Sequence, residues 1–249
     1  MKVFHAYLSV DGLSQLPSAD RKLFFALANL QNEIRFLLRI IQWSGDYSSP
    51  IKAIVQSQFA LNFFNVKLLA GKLREGYGIL EKFYFPEKDL AQRFQANANP
   101  GALEALNELK KYFSKGNLLH DVRNNFAFHF SPNALENELG KSPDPLEIFI
   151  ENGPDANTLY YFAEILSTLA ALRQIGSPDP VRAIGEFTQN ILNAATIFNK
   201  FNLGFLHFIT STNKATIWDS PATELDLGEL PPFAKVRVPW FADTSQGLR

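Results

Sequence analysis

Apolar residues recur at intervals of three and four along most of this chain, the mark of helices that bury one face. Leu23, Leu27, Leu30, Ile34, Leu37 and Ile41 make the first stripe, with Ser18 placed as an N-cap and Asp20 as a first-turn acid. Trp43-Ser44-Gly45-Asp46 interrupts it. A longer stripe runs Ile51, Ile54, Phe59, Phe63, Val66, Leu69, Leu73, Tyr77 and Leu80. It opens near Ser49-Pro50, where proline is tolerated in a first turn, and closes at Tyr84-Phe85-Pro86. Two long amphipathic helices joined by a short turn must pack antiparallel.

Further along, residues 88–95 read as a short helix, and Leu103, Leu106, Leu109 and Phe113 mark another, ended by Lys115-Gly116-Asn117 as a C-cap signal. Residues 118–130 read as helix up to Ser131-Pro132. Pro132, Pro143, Pro145 and Pro154 make 131–155 a long surface loop with a β-prone stretch at 147–151. Helices resume at 158–175 and 180–208. Beyond 213 the chain is Asp-, Leu- and Pro-rich, with a strand-like alternation at 234–240. The expected organisation is a non-helical leader (1–17), a helical domain (18–212) and an irregular, β-prone tail (213–249). The fold class is all-α: an up-down bundle built on two long antiparallel helices with extra C-terminal helices.

Composition narrows the chemistry. With 249 residues, 46% hydrophobic and 20% charged, the chain is globular and long enough for a substantial core. Most of the 23 phenylalanines fall at helical spacing, so aromatic core packing explains them. The absence of cysteine excludes disulfides, thiolate metal sites and cysteine nucleophiles together. A net charge of −1 leaves no basic surplus for gripping long nucleic acid, so any RNA contact is confined to a local patch. Lys110, Lys111 and Lys115 are candidates for such a patch, although cations at a helix end ordinarily offset the helix dipole. The uncharged stretches 53–66 and 201–213 fall short of the ~18 apolar residues that span a bilayer. The first residues do not resemble a signal peptide, so a cytoplasmic protein with no membrane segment is expected.

Motifs for common chemistry are missing: there is no GxSxG elbow, no GxGxxG fingerprint, no P-loop and no HExxH. His120-Asp121 invites comparison with helical HD metal phosphohydrolases, but the further histidine and aspartate that such a site requires do not stand out, and no metal or cofactor is expected.

The segment Arg123-Asn124-Asn125-Phe126-Ala127-Phe128-His129 is more specific. Arginine carries a planar fork of donors that grips a phosphate, and histidine moves protons near neutrality. On an ideal helix six steps set Arg123 and His129 about 120° apart. His129 then falls near the stripe Val122, Phe126, Phe130, where Asn125 would orient a buried core histidine. Three arrangements let the pair work together: the helix loosens before Pro132, the arginine reaches around, or a second subunit completes the cleft.

This pattern resembles the R-polar-x4-to-6-H signature of the HEPN superfamily, with Arg123 as the arginine, Asn124 as the polar residue and His129 as the histidine. The resemblance implies a homodimer with a composite site and metal-independent RNA cleavage. Arg123, His129 and Asn124 would be catalytic, with Asn125, His120 and Glu75 supporting. It also implies a toxin or antiviral-defence role with a nucleotidyltransferase-like antitoxin as a partner. A non-catalytic HEPN-like module that dimerises or binds a nucleotide or protein stands as the alternative.

Overall fold

Helices form where the three-and-four spacing predicts them, in a computed structural model that describes residues 2–114, 118–124, 132–142, 145–150, 158–173, 179–232 and 235–238. In chain order the elements are β1 (Lys2–His5), α1 (Val10–Gln15), α2 (Ser18–Ser44), α3 (Lys52–Phe83), α4 (Lys88–Asn97) and α5 (Pro100–Phe113). There follow α6 (Leu118–Val122), α7 (Pro132–Leu139), α8 (Tyr161–Leu172), α9 (Pro180–Thr212), α10 (Lys214–Ile217) and β2 (Thr223–Asp226). The fold is an all-α bundle with one small two-stranded ribbon. Among the described residues no helix is long and apolar enough to cross a membrane.

The chain divides into two compact units, each gathered from three stretches. The first takes residues 1–34, 73–115 and 194–236; the second takes 35–72, 116–193 and 237–249. Leu30 lies beside Gly76, while the Asn62 amide donates to the Ile41 carbonyl at 2.6 Å. The contacting position climbs on α2 as it falls on α3, so the two helices run antiparallel.

Aromatic rings fill the first unit. On α9, Phe201, Phe205 and Phe208 recur one helical turn apart and are all but sealed from solvent. They surround Phe94 of α4 at 5.8, 5.5 and 5.4 Å between ring centroids, with Tyr84 set edge-on to the same group. Burial pushes the Tyr84 hydroxyl up to about 12. Tyr77 stacks on Phe113 at 4.1 Å, and the Arg74 guanidinium lies 6.0 Å from both rings. Asp20, 1% exposed, is held by both terminal nitrogens of Arg93 at 2.8 Å, so this buried carboxylate is fully paired.

Close helix contact in the same unit depends on small residues. Gly204 of α9 faces Ala102 of α5, and a Cβ at 204 would overlap the Ala102 methyl. Gly12 of α1 is pressed in the same way against the Thr216 carbonyl of α10.

In the second unit Phe63 of α3 packs on Phe187 of α9 at 5.1 Å, and Leu159 and Tyr161 close over Ala60. Lys67, with its side chain 3% exposed, ion-pairs with Glu164 at 3.1 Å and donates to Ser167 at 2.9 Å. That lysine stands in the polar gap of the α3 stripe, and its burial is set by α8.

Three local expectations are corrected. The stretch read as loop from 131 begins with helix α7, because Pro132 occupies a first turn and Ala134, Leu135, Glu136, Glu138 and Leu139 are helix formers. Its Glu138 is buried and ion-paired with Arg173 at the end of α8. The leader is not wholly non-helical: β1 pairs antiparallel with β2 in the tail, Lys2 opposite Asp226 and His5 opposite Thr223, and helix α1 follows with Ser9 as its N-cap. The strand described in the tail lies at 223–226; of the alternating stretch 234–240, residues 235–238 carry no strand and the others lie outside the described residues. At 147–151 the structure forms a single bridge, Phe149 to Leu159.

Asp46, just beyond α2, anchors the last described segment. It accepts from the Ser48 hydroxyl at 2.7 Å, the Arg237 Nε at 2.9 Å and the Ser48 amide at 3.1 Å. These donors hold its carboxyl down to about 2. A lowered carboxyl pKa stabilises the fold in full above the ordinary value of 3.8 and loses that contribution as pH falls through about 2. A carbon-detected NMR titration should find Asp46 near 2, and Ser48→Ala should move it upward by more than Arg237→Ala does. An Asp46 titrating at its ordinary value would show the anchor is not formed.

Candidate functional site

The motif begins on a short helix with a firm inner face. Leu119 and Val122 of α6 are fully buried, which leaves His120 exposed and Arg123 and Asn124 half-buried. At Arg123 and Asn124 the helix widens into a π turn. Such insertions are rare in regular helices and concentrate at functional sites.

Asn124 joins the other two polar groups. Its Oδ1 accepts from Arg123 Nη1 at 3.0 Å, and its Nδ2 lies 2.9 Å from His120 Nε2. Chemistry orients this chain. Arginine has donors only, so the amide oxygen must face it and the amide nitrogen must face the imidazole. In this orientation His120 Nε2 accepts and the ring proton sits on Nδ1. The assembly links the guanidinium to the His120 imidazole through the Asn124 amide, and a guanidinium so placed can grip a phosphate.

Of the residues singled out in the sequence, Arg123, Asn124 and His120 therefore lie together. Asn125 and His129 lie outside the described residues. Glu75 belongs to the first unit, half-buried on α3. Lys110 and Lys111 occupy the last turn of α5, and Lys110 Nζ stands 5.4 Å over the Phe85 ring. Lys110 is thus engaged in packing and in offsetting the helix dipole. Lys115 lies outside the described residues. Among the described residues no group of three or more His, Asp or Glu side chains is gathered as a cation cage.

Sequence reasoning passed over Lys67 with Glu164 and Ser167, because a lysine between Val66 and Leu68 gives no sign of which helix will cover it. It also passed over the groove around Trp218, which forms only when the end of α9, α10 and the following turn fold together. No family model, curated protein or solved structure matches the chain.

Proposed function

We propose that this chain is a HEPN-like, metal-independent endoribonuclease of the toxin or antiviral-defence type, working as a homodimer with a composite site. The observation that carries the reading is the Arg123–Asn124–His120 chain, formed at a widened turn where the R-polar-x4-H motif begins. Arg123 would stabilise negative charge on the phosphoryl oxygens as the ribose 2′-oxygen bonds to phosphorus. The 2′-hydroxyl proton passes to an imidazole, His129 by the motif, and the departing 5′-oxygen takes up a proton. The P–O5′ bond breaks to give a 2′,3′-cyclic phosphate and a 5′-hydroxyl. Asn124 holds the guanidinium in place and shares its amide with His120, which makes His120 a positioning residue.

The test is cleavage of single-stranded RNA by the purified chain in excess EDTA, with the ends of the products identified. Cyclic phosphate and 5′-hydroxyl ends are expected. No cleavage over a range of RNA sequences, by a protein verified as dimeric, would reject the reading. The near-neutral charge favours a second reading, a non-catalytic HEPN-like module that dimerises or binds a nucleotide or protein. On that reading RNA stays intact, and a thermal-shift screen with nucleotides finds a stabilising ligand.

A further inference from the structure

A cavity of about 970 Å³ opens in the first unit where the last turn of α9 meets α10 and residues 218–222. That is within the size range of pockets that enclose small molecules. Trp218, Ala215, Pro221 and Ala222 supply an apolar wall, and His207, Lys214 and Asp219 bring charge or polarity to the same lining.

Three observations point to a ligand. First, the Trp218 indole is fixed while still open to solvent. Its Nε1 donates to the Thr210 carbonyl at 3.3 Å, one of the carbonyls left unpaired at the end of α9. Its backbone bridges to Leu8, and the next amide, Asp219, donates to the Tyr7 carbonyl at 3.0 Å. Even so, 37% of the residue remains exposed, so a flat surface is offered and not sealed. Second, the Lys214 ammonium is exposed on the same wall, and among the described residues neither it nor His207 has an ion-pair partner. Third, the Asp219 carboxylate is also exposed on the lining; it repels a second negative charge and accepts from N–H groups.

We infer that this groove binds a flat aromatic ring carrying N–H donors and one anionic group. The ring stacks on Trp218, the anion meets Lys214 with His207, and the ring N–H groups reach Asp219. Stacking on an indole and pairing with an ammonium are additive demands that few solutes meet together. Two sources share the chemistry, an amino-bearing nucleoside monophosphate and an aromatic amino-carboxylate. The inference stands apart from the ribonuclease reading, since every lining residue belongs to the first unit and Arg123 to the second.

Isothermal titration calorimetry of the full chain with AMP, GMP and 2-aminobenzoate is the test, with ribose 5-phosphate as the ringless control. Saturable one-to-one binding by at least one of the three ring anions is expected, about tenfold or more tighter than the control. Which of them binds identifies the source. Lys214→Ala, a fully surface change, should weaken binding about tenfold, and Trp218→Ala should abolish it while Trp218→Phe keeps part. Binding should be unaltered in Arg123→Ala, which separates this site from the proposed catalytic one. Absence of saturable heat with all three ring anions at millimolar concentration overturns the inference. So does affinity that is unchanged in Lys214→Ala.

Discussion

On the proposed ribonuclease reading, Arg123→Ala should lower RNA cleavage by about a thousandfold, because removing one preformed donor to a developing phosphoryl charge typically costs two to three powers of ten. His129→Ala falls by a similar or larger factor if the motif histidine carries the proton. The Arg123 variant should melt cooperatively near the wild-type temperature, since Arg123 is only half-buried and donates to the neighbouring Asn124. His120 is the informative comparison. As a positioning residue it should cost about tenfold on alanine substitution, and Asn124→Asp should be worse than Asn124→Ala. An aspartate in that place cannot donate to His120 Nε2, so it would favour the protonated ring and tie Arg123 into an ion pair. Single-turnover cleavage rates across this series decide the matter. Undiminished cleavage in Arg123→Ala would remove the assigned site, and a loss in His120→Ala equal to that in His129→Ala would make His120 a second working imidazole.

Gly204→Val is the substitution with the largest expected effect on stability. Glycine within a helix costs about 1 kcal/mol relative to alanine, so its place near the middle of α9 calls for a compensating contact. The crossing against Ala102 of α5 is that contact, and both residues are buried. A single methyl at 204 overlaps the Ala102 methyl, and a branched side chain forces the two helices apart beside Phe201, Phe205 and Phe208. Overpacking of this kind costs about 1–3 kcal/mol per misfit, and valine combines it with restricted rotamers in a helix. A loss near 3 kcal/mol corresponds to a fall of about 10 °C in Tm for a chain of this size. Gly204→Ala should cost less, and Ala102→Gly placed in the Gly204→Ala background should return part of the stability. If Gly204→Val melts like wild type, α5 and α9 do not pack at this point.

Much of the architecture was legible because burial and helical period coincide. Leu23, Leu27, Leu30 and Ile34 form one buried line on α2, as do Phe63, Val66, Leu69, Leu73 and Leu80 on α3. The pattern misled at Ile51 and Ile54: the first precedes α3, and both are exposed. Pairing of β1 with β2 joins residues more than two hundred positions apart, through backbone groups that carry no side-chain signature. Glu224 and Asp226 are poor strand formers, so half of the four residues of β2 argue against a strand when taken alone. At the candidate site the sequence pattern puts Arg123 and Asn124 within a helix over 118–130, of which residues 118–124 are described and helical. The hydrogen bond from Asn124 back to His120 follows from the i,i−4 geometry of that helix, a spacing open to inspection in the sequence. Widening at residues 123–124 was not, since no residue type there marks a departure from the regular helix.

The division of the chain has a consequence for how the protein is made. Neither unit is encoded by one contiguous stretch, and α2, α3 and α9 each supply turns to both. A ribosome that has delivered residues 1–193 has produced most of the second unit's helices, yet the α9 turns that close the first are still to come. Until they emerge, Phe94 has no Phe201–Phe205–Phe208 ridge to cover it. Splitting the gene anywhere between α2 and α9 therefore yields fragments with unfinished cores, and recovery of the fold from such pieces requires reassociation in trans.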